Sequence, residues 1–157
     1  MNLWQISATF FYLGKLPIAP GSWGSLGALI LWIFVPPSLY IQSLIIIIGF
    51  YIGLVSSYKL SNQMGDHDPE EIVIDEVVGQ MLPLVAIPIY ETLHPLPILY
   101  YIAGSFLFFR LFDILKPYPI NYVDNNVKGS LGIMLDDILA SFYTILSLVV
   151  IFFFLGG

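Results

Sequence analysis

The chain of 157 residues has no cysteine. This excludes disulfides, thiolate metal sites and cysteine-nucleophile phosphatases together. Charge is also scarce: charged residues make up 10% of the sequence, against about 25% in a typical soluble domain. So few charges cannot coat a soluble surface of this size, which argues against an ordinary cytosolic enzyme. The five basic residues and the net charge of −6 leave no basic face for nucleic acid. Histidine occurs twice. His67 sits in an acidic loop and His94 in a short proline-flanked one, so phosphohistidine catalysis is not expected.

Apolar residues are abundant, at 58% with 16% aromatic. That excludes a disordered chain and favours a small integral membrane protein. The length suits one domain spanning residues 1–157, with no internal repeat or low-complexity tract. The apolar residues cluster at 26–35, 41–58, 77–90, 97–112 and 138–155. A helix needs roughly 20 apolar residues to cross about 30 Å of hydrocarbon. Stretches 41–58 and 138–155 qualify without a single charge, and 97–112 is borderline. The stretches 26–35 and 77–90 are short, the second being broken by Pro83 and Pro88. The expected fold is all-α: a small polytopic bundle of about four to five membrane-embedded helices. The N-terminus lacks the basic start of a signal peptide. Its Trp4, Phe10, Phe11 and Tyr12 suit a helix lying in the interface.

Charge gives an orientation. If all five stretches cross, then Lys15, Lys59, Arg110, Lys116 and Lys128 fall on one side, with every acidic residue except Glu91. The positive-inside rule makes that side cytoplasmic. The expected location is therefore a bacterial inner membrane, with the polar chemistry facing the cytoplasm.

Four polar clusters carry candidate chemistry. The first runs Lys15 to Ser25, with a turn at Pro20-Gly21. Gly21 and Gly24 let backbone approach a ligand closely. Ser22 or Ser25 suits the cap of the following helix, whose N-terminus favours phosphate. Taken alone, a tight turn and a cap explain the run better than a phosphate site does. In the second cluster, 66–71 reads as a solvated acidic loop. Asp66 and Asp68 have the spacing of an aspartate-nucleophile phosphatase but lack its strand and threonine. Asp75 and Glu76 differ, because apolar residues flank them and burying a charge there demands a partner. Asp75 and Gly79 stand at i and i+4 on a helix. The third cluster places Arg110, Asp113 and Lys116 within one helical arc of about 120°, before Pro117 and Pro119 end the helix. It reads as an intrahelical ion pair or as a phosphate clamp. The fourth is Asp136-Asp137 at the head of an apolar helix. Helix electrostatics explains one aspartate there; two repel unless a cation sits between them, and oxygen-rich sites of this kind suit Mg²⁺. Together the clusters suit metal-assisted phosphoryl chemistry at a membrane surface.

Residues 13–29 (LGKLPIAPGSWGSLGAL), 72–80 (IVIDEVVGQ), 109–120 (FRLFDILKPYPI) and 129–140 (GSLGIMLDDILA) resemble, in order, the motifs of the phosphatidylglycerophosphatase A family. This chain has Ala140-Ser141 where that family usually has Ala-Gly. The resemblance implies an all-helical, Mg²⁺-dependent phosphatase that converts phosphatidylglycerophosphate in the bilayer to phosphatidylglycerol and phosphate. On that reading Asp75, Glu76, Asp136 and Asp137 hold Mg²⁺ with Asp113 close by. Lys15, Arg110 and Lys116 neutralise the phosphate, and the turn from Gly21 to Ser25, including Ser22, Gly24 and Ser25, donates backbone N–H groups. Water attacks phosphorus with one carboxylate as base, or Asp136 or Asp75 serves as nucleophile. The alternatives are another Mg²⁺-dependent phospholipid enzyme of the transferase class, whose usual aspartate spacing is missing, and a small membrane carrier. A homodimer is expected to suit so small a bundle.

Overall fold

The computed structural model describes residues 2–66, 69–93 and 95–155. His67, Asp68 and His94 lie outside the described residues. Every regular element among the described residues is helical: α1 (Leu3–Ala8), a 3₁₀ turn (Leu13–Lys15), α2 (Pro20–Trp32), α3 (Leu39–Met64), α4 (Ile74–Leu84), α5 (Ile87–Leu93), α6 (Ile98–Leu115), α7 (Ile120–Asn126) and α8 (Ser130–Leu155).

Three helices, α3, α6 and α8, are long and apolar enough to cross a membrane. Only 22, 17 and 33% of their apolar windows are buried inside the bundle. Their outward faces carry Leu44, Ile47, Tyr51, Leu107, Leu146 and Phe153, all exposed. Lipid is the solvent that covers such faces without cost, so the chain is a membrane protein. The two short apolar stretches behave differently. Residues 26–35 end α2, whose 13 residues reach about 20 Å. Residues 77–90 are divided between α4 and α5 at Val85-Ala86. Neither α2 nor α4 is long enough to cross by itself.

α4 forms the centre. Its Ile74, Val77, Val78, Met81 and Leu84 are buried between α2, α3, α6 and α8. Close approach requires small residues, as in membrane helix pairs generally. α2 turns Gly21, Gly24, Ser25 and Ala28 inward, and a Cβ on Gly24 would meet Val73 at 3.0 Å. Gly53 of α3 gives way to Met134 of α8, whose sulfur would stand 2.5 Å from a Cβ there.

Successive helices alternate in direction along the bundle. α2 leaves one end, α3 returns to it, α4 with α5 leaves again, α6 returns, and α8 leaves. At the far end Tyr90 of α5, Tyr101 of α6 and Phe152 of α8 stack in one cluster with ring centroids 4.7–5.9 Å apart. At the near end α1 closes over α3: Asn2 donates to Gln63 at 3.2 Å, Lys59 lies 3.8 Å above the Trp4 ring, and the Val73 N–H donates to Ala8 O at 2.9 Å. All five basic residues gather at this near end. Lys15 pairs with Glu71 at 3.3 Å, and Lys128 lies beside Ser61 and Asn62 at the end of α3.

Candidate active site

A cavity of 370 Å³ opens at the near end. The start of α2 supplies Ala19, Pro20 and Gly21 to its wall. The loop into α4 supplies Pro69, Glu70 and Ile72, and the first turn of α4 supplies Asp75 and Glu76. Arg110, Asp113 and Lys116 enter from the end of α6, and Ile133, Asp136 and Asp137 from α8. Carboxylates in the first turn of α4 suit the positive end of the helix dipole, but that favour is small beside the cost of gathering them.

One carboxylate oxygen from each of Asp75, Glu76 and Asp137 lies within 4.8 Å of the others. Asp75 Oδ1, Glu76 Oε2 and Asp137 Oδ2 are buried and accept no hydrogen bond among the described residues. Burial pushes the Asp75 carboxyl well above its ordinary range, and the charge of Glu76 adds to this. Burial likewise lifts Glu76 to about 7. A cluster of orphaned, mutually repelling oxygens is the donor set that a hard divalent cation satisfies. The residues therefore fit the magnesium that the sequence implies.

The cations stand opposite. Arg110 Nη1 lies 2.6 Å from Asp113 Oδ2 and 3.7 Å from Glu76 Oε1. Lys116 Nζ donates to Asp136 Oδ2 at 2.7 Å and to Asp124 Oδ1 at 2.5 Å. Burial pulls the Lys116 ammonium down, but these two hydrogen bonds more than offset it and hold the group above its ordinary value. Asp136 Oδ1 also accepts the Asp137 N–H at 3.1 Å.

Eight of the twelve residues expected from the sequence thus line one cavity: Gly21, Asp75, Glu76, Arg110, Asp113, Lys116, Asp136 and Asp137. Asp136 lies beside the acidic trio but is held by Lys116. Lys116 is not part of the helical arc read from sequence. α6 ends at Leu115, and Lys116 turns left-handed at φ 42°. Lys15, Ser22, Gly24 and Ser25 are not in the wall. The glycine-rich run is already helix from Pro20, so the N–H groups of Ser22 and Trp23 bond to Ala19 O. Ser25 Oγ donates back to Gly21 O at 3.1 Å. Asp124 and Glu70 are the additions. Asp124 carries no signal in the sequence, because only the fold of α7 brings it to Lys116.

A bundle of long apolar helices, with clustered carboxylates facing an arginine and a lysine at one end, defines a class: a membrane protein built for phosphate chemistry. Comparison with known proteins narrows this. The sequence profile described as PgpA, phosphatidylglycerophosphatase A, matches residues 6–152. The chain belongs to the phosphatidylglycerophosphatase A family, and is a phosphatase. Phosphatidylglycerophosphatase A of Escherichia coli K12 is 39% identical over 142 residues, covering 88% of this chain and 77% of the relative. The protein of that name from Haemophilus influenzae is 36% identical over 148 residues, covering 93% and 86%. A Bacteroides thetaiotaomicron relative, 34% identical over 148 residues with 90% and 89% covered, carries a name that assigns it provisionally to the phosphatidylinositol-3-phosphatases. No solved structure matches.

Proposed function

We propose that the protein hydrolyses phosphatidylglycerophosphate to phosphatidylglycerol and phosphate, with Mg²⁺, at the cytoplasmic face of the bacterial inner membrane. The observation that carries this is the single cavity in which Asp75, Glu76 and Asp137 face Arg110 and Lys116 in a member of this family. Asp75, Glu76 and Asp137 would hold the cation, with Asp136 and Asp113 beside them. When bound, Mg²⁺ supplies positive charge against the phosphate oxygens and acidifies water. Arg110 offers guanidinium N–H groups to the phosphate, held in place by Asp113. Lys116, kept charged and fixed between Asp124 and Asp136, offers a second positive charge. One carboxylate of the cavity would take a proton from the attacking water. Attack by Asp75 on phosphorus is the competing route, and trapping a phosphoenzyme separates the two.

With five crossings, residues 1–25, 59–76 and 113–137 would share the side of the cavity and of the five basic residues. On the positive-inside rule that side faces the cytoplasm. The acyl chains then stay in the bilayer, and only the head group enters the cavity. The outward faces of α3, α6 and α8 are left to lipid or to a second copy of the chain. Single cysteines at Ser38 and Asn125 test the topology: an impermeant thiol reagent should label them from opposite sides of a vesicle, and same-side labelling refutes the five-pass arrangement.

The deciding experiment is phosphate release in detergent micelles from phosphatidylglycerophosphate, phosphatidylinositol 3-phosphate and phosphatidate, with Mg²⁺ or EDTA. Mg²⁺-dependent release favouring the first substrate supports the proposal. Preference for the inositol lipid moves the substrate to that of the Bacteroides relative, and no release from folded protein refutes the reading.

A further inference from the structure

Pro83 sits inside α4 and has no N–H to give. The carbonyl four residues back, that of Gly79, therefore loses its helical donor. A hydroxyl from another helix supplies one: Ser141 Oγ donates to Gly79 O at 2.6 Å. The same hydroxyl lies 2.7 Å from Asp137 O in its own helix. It has one proton, and the bond to Gly79 is the one that joins two helices. Ser141 is wholly inaccessible, so water does not substitute. Gly79 makes the approach feasible: a Cβ there would fall 2.8 Å from the Phe109 ring and 3.1 Å from Asp137 Cβ.

The register of this bridge matters. Gly79 is one turn beyond Asp75 on α4, and Ser141 is one turn beyond Asp137 on α8. The bridge ties the helices together directly beneath the carboxylates. α4 contributes two of the three acidic groups and α8 the third, so the distance across the trio is the distance between these helices.

The geometry points to Ser141 as a positioning residue. Its hydroxyl, lodged on the carbonyl that Pro83 leaves free, fixes Asp137 against Asp75 and Glu76 and so sets how tightly the trio holds a divalent cation. This rests on the cation reading of the cavity.

The test is Mn²⁺ binding followed by electron paramagnetic resonance on the full chain in detergent, which needs no turnover. Three variants are compared with wild type: Ser141→Ala, Thr144→Val and Asp137→Asn. Thr144 is the control, because its Oγ1 donates to Ala140 O at 2.8 Å within α8 and is equally buried. Thr144→Val loses a buried hydrogen bond of the same kind without touching α4. Ser141→Ala should weaken Mn²⁺ affinity about tenfold, as loss of groups that orient ligands does, while Thr144→Val stays near wild type. Equal affinities in Ser141→Ala and wild type, or equal weakening in the Ser141 and Thr144 variants, would overturn the positioning role alone. Absence of saturable Mn²⁺ binding by wild type, or its persistence in Asp137→Asn, would overturn the cation reading and this inference with it.

Discussion

Gly21 and Glu76 touch across two helices: a Cβ on Gly21 would run into Glu76 Oε1 and lie 2.9 Å from Arg110 Nη1. The absence of a side chain at the start of α2 is what lets the acid and the guanidinium share one wall. Gly21→Ala should displace Glu76 and lower kcat/KM at least tenfold, about 1.4 kcal/mol of barrier, with little change in melting temperature. Gly24→Ala makes the contrast. Its Cβ meets Val73 away from the cavity, so it should cost stability, about 1–3 kcal/mol of overpacking, and leave turnover per folded molecule intact. Equal activity loss in both would refute the distinction.

Asp75, Glu76 and Asp137 repel one another when nothing lies between them. Asp137→Asn and Asp75→Asn should therefore raise the melting temperature in EDTA while abolishing activity. Added Mg²⁺ should stabilise wild type, by about 2.7 kcal/mol at a hundred times its dissociation constant, and should not stabilise either variant. A thermal-shift series with and without Mg²⁺ checks both signs.

Lys116 holds two carboxylates, and Asp136 is the more buried of them. Lys116→Met leaves Asp136 without its counter-charge. Breaking a fully buried pair costs about 3–5 kcal/mol; with 27% of the lysine side chain exposed, about 1–3 kcal/mol is expected here. Adding Asp136→Asn should restore much of that stability but not activity, because the phosphate still lacks the ammonium. Recovery of activity in the double variant would show that Lys116 serves only the fold.

Tyr101 donates to Pro83 O at 2.8 Å, about two helical turns along α4 from Asp75. Tyr101→Phe should cost about 1 kcal/mol and leave kcat unchanged. A change in kcat would reveal coupling along α4 from Pro83 to the carboxylates.

The sequence announces most of this site, because buried carboxylates beside apolar runs are costly and therefore conspicuous. Asp75, Glu76 and Asp137 follow from that reasoning alone. The three long helices are equally plain, since a run such as Ile45 to Ile48 has no other use in a chain so poor in charge. What fails is the glycine-rich run. Its glycines suit a tight turn or a phosphate loop, but Gly24 and Ser25 serve close helix packing, a use that has the same composition. Lys116 shows a second limit: periodicity carried it along the helix, whereas the chain turns left-handed there. Asp124 and the bridge from Ser141 to Gly79 are invisible for a third reason. Each joins residues far apart in sequence, and no local pattern records the partner.

The five cations at the cavity end have two tasks. On the proposed orientation the insertion machinery would count them when it decides which way the chain faces, and on the proposed function the cavity would use Arg110 and Lys116 against phosphate. With so few to spare, the two tasks share residues. A substitution that removes one of that pair weakens the topological signal as well as the chemistry, so misoriented molecules should accumulate alongside slow ones. On the proposed function, orientation and turnover would be constrained together in this chain, and a neutral drift in one would not be neutral in the other.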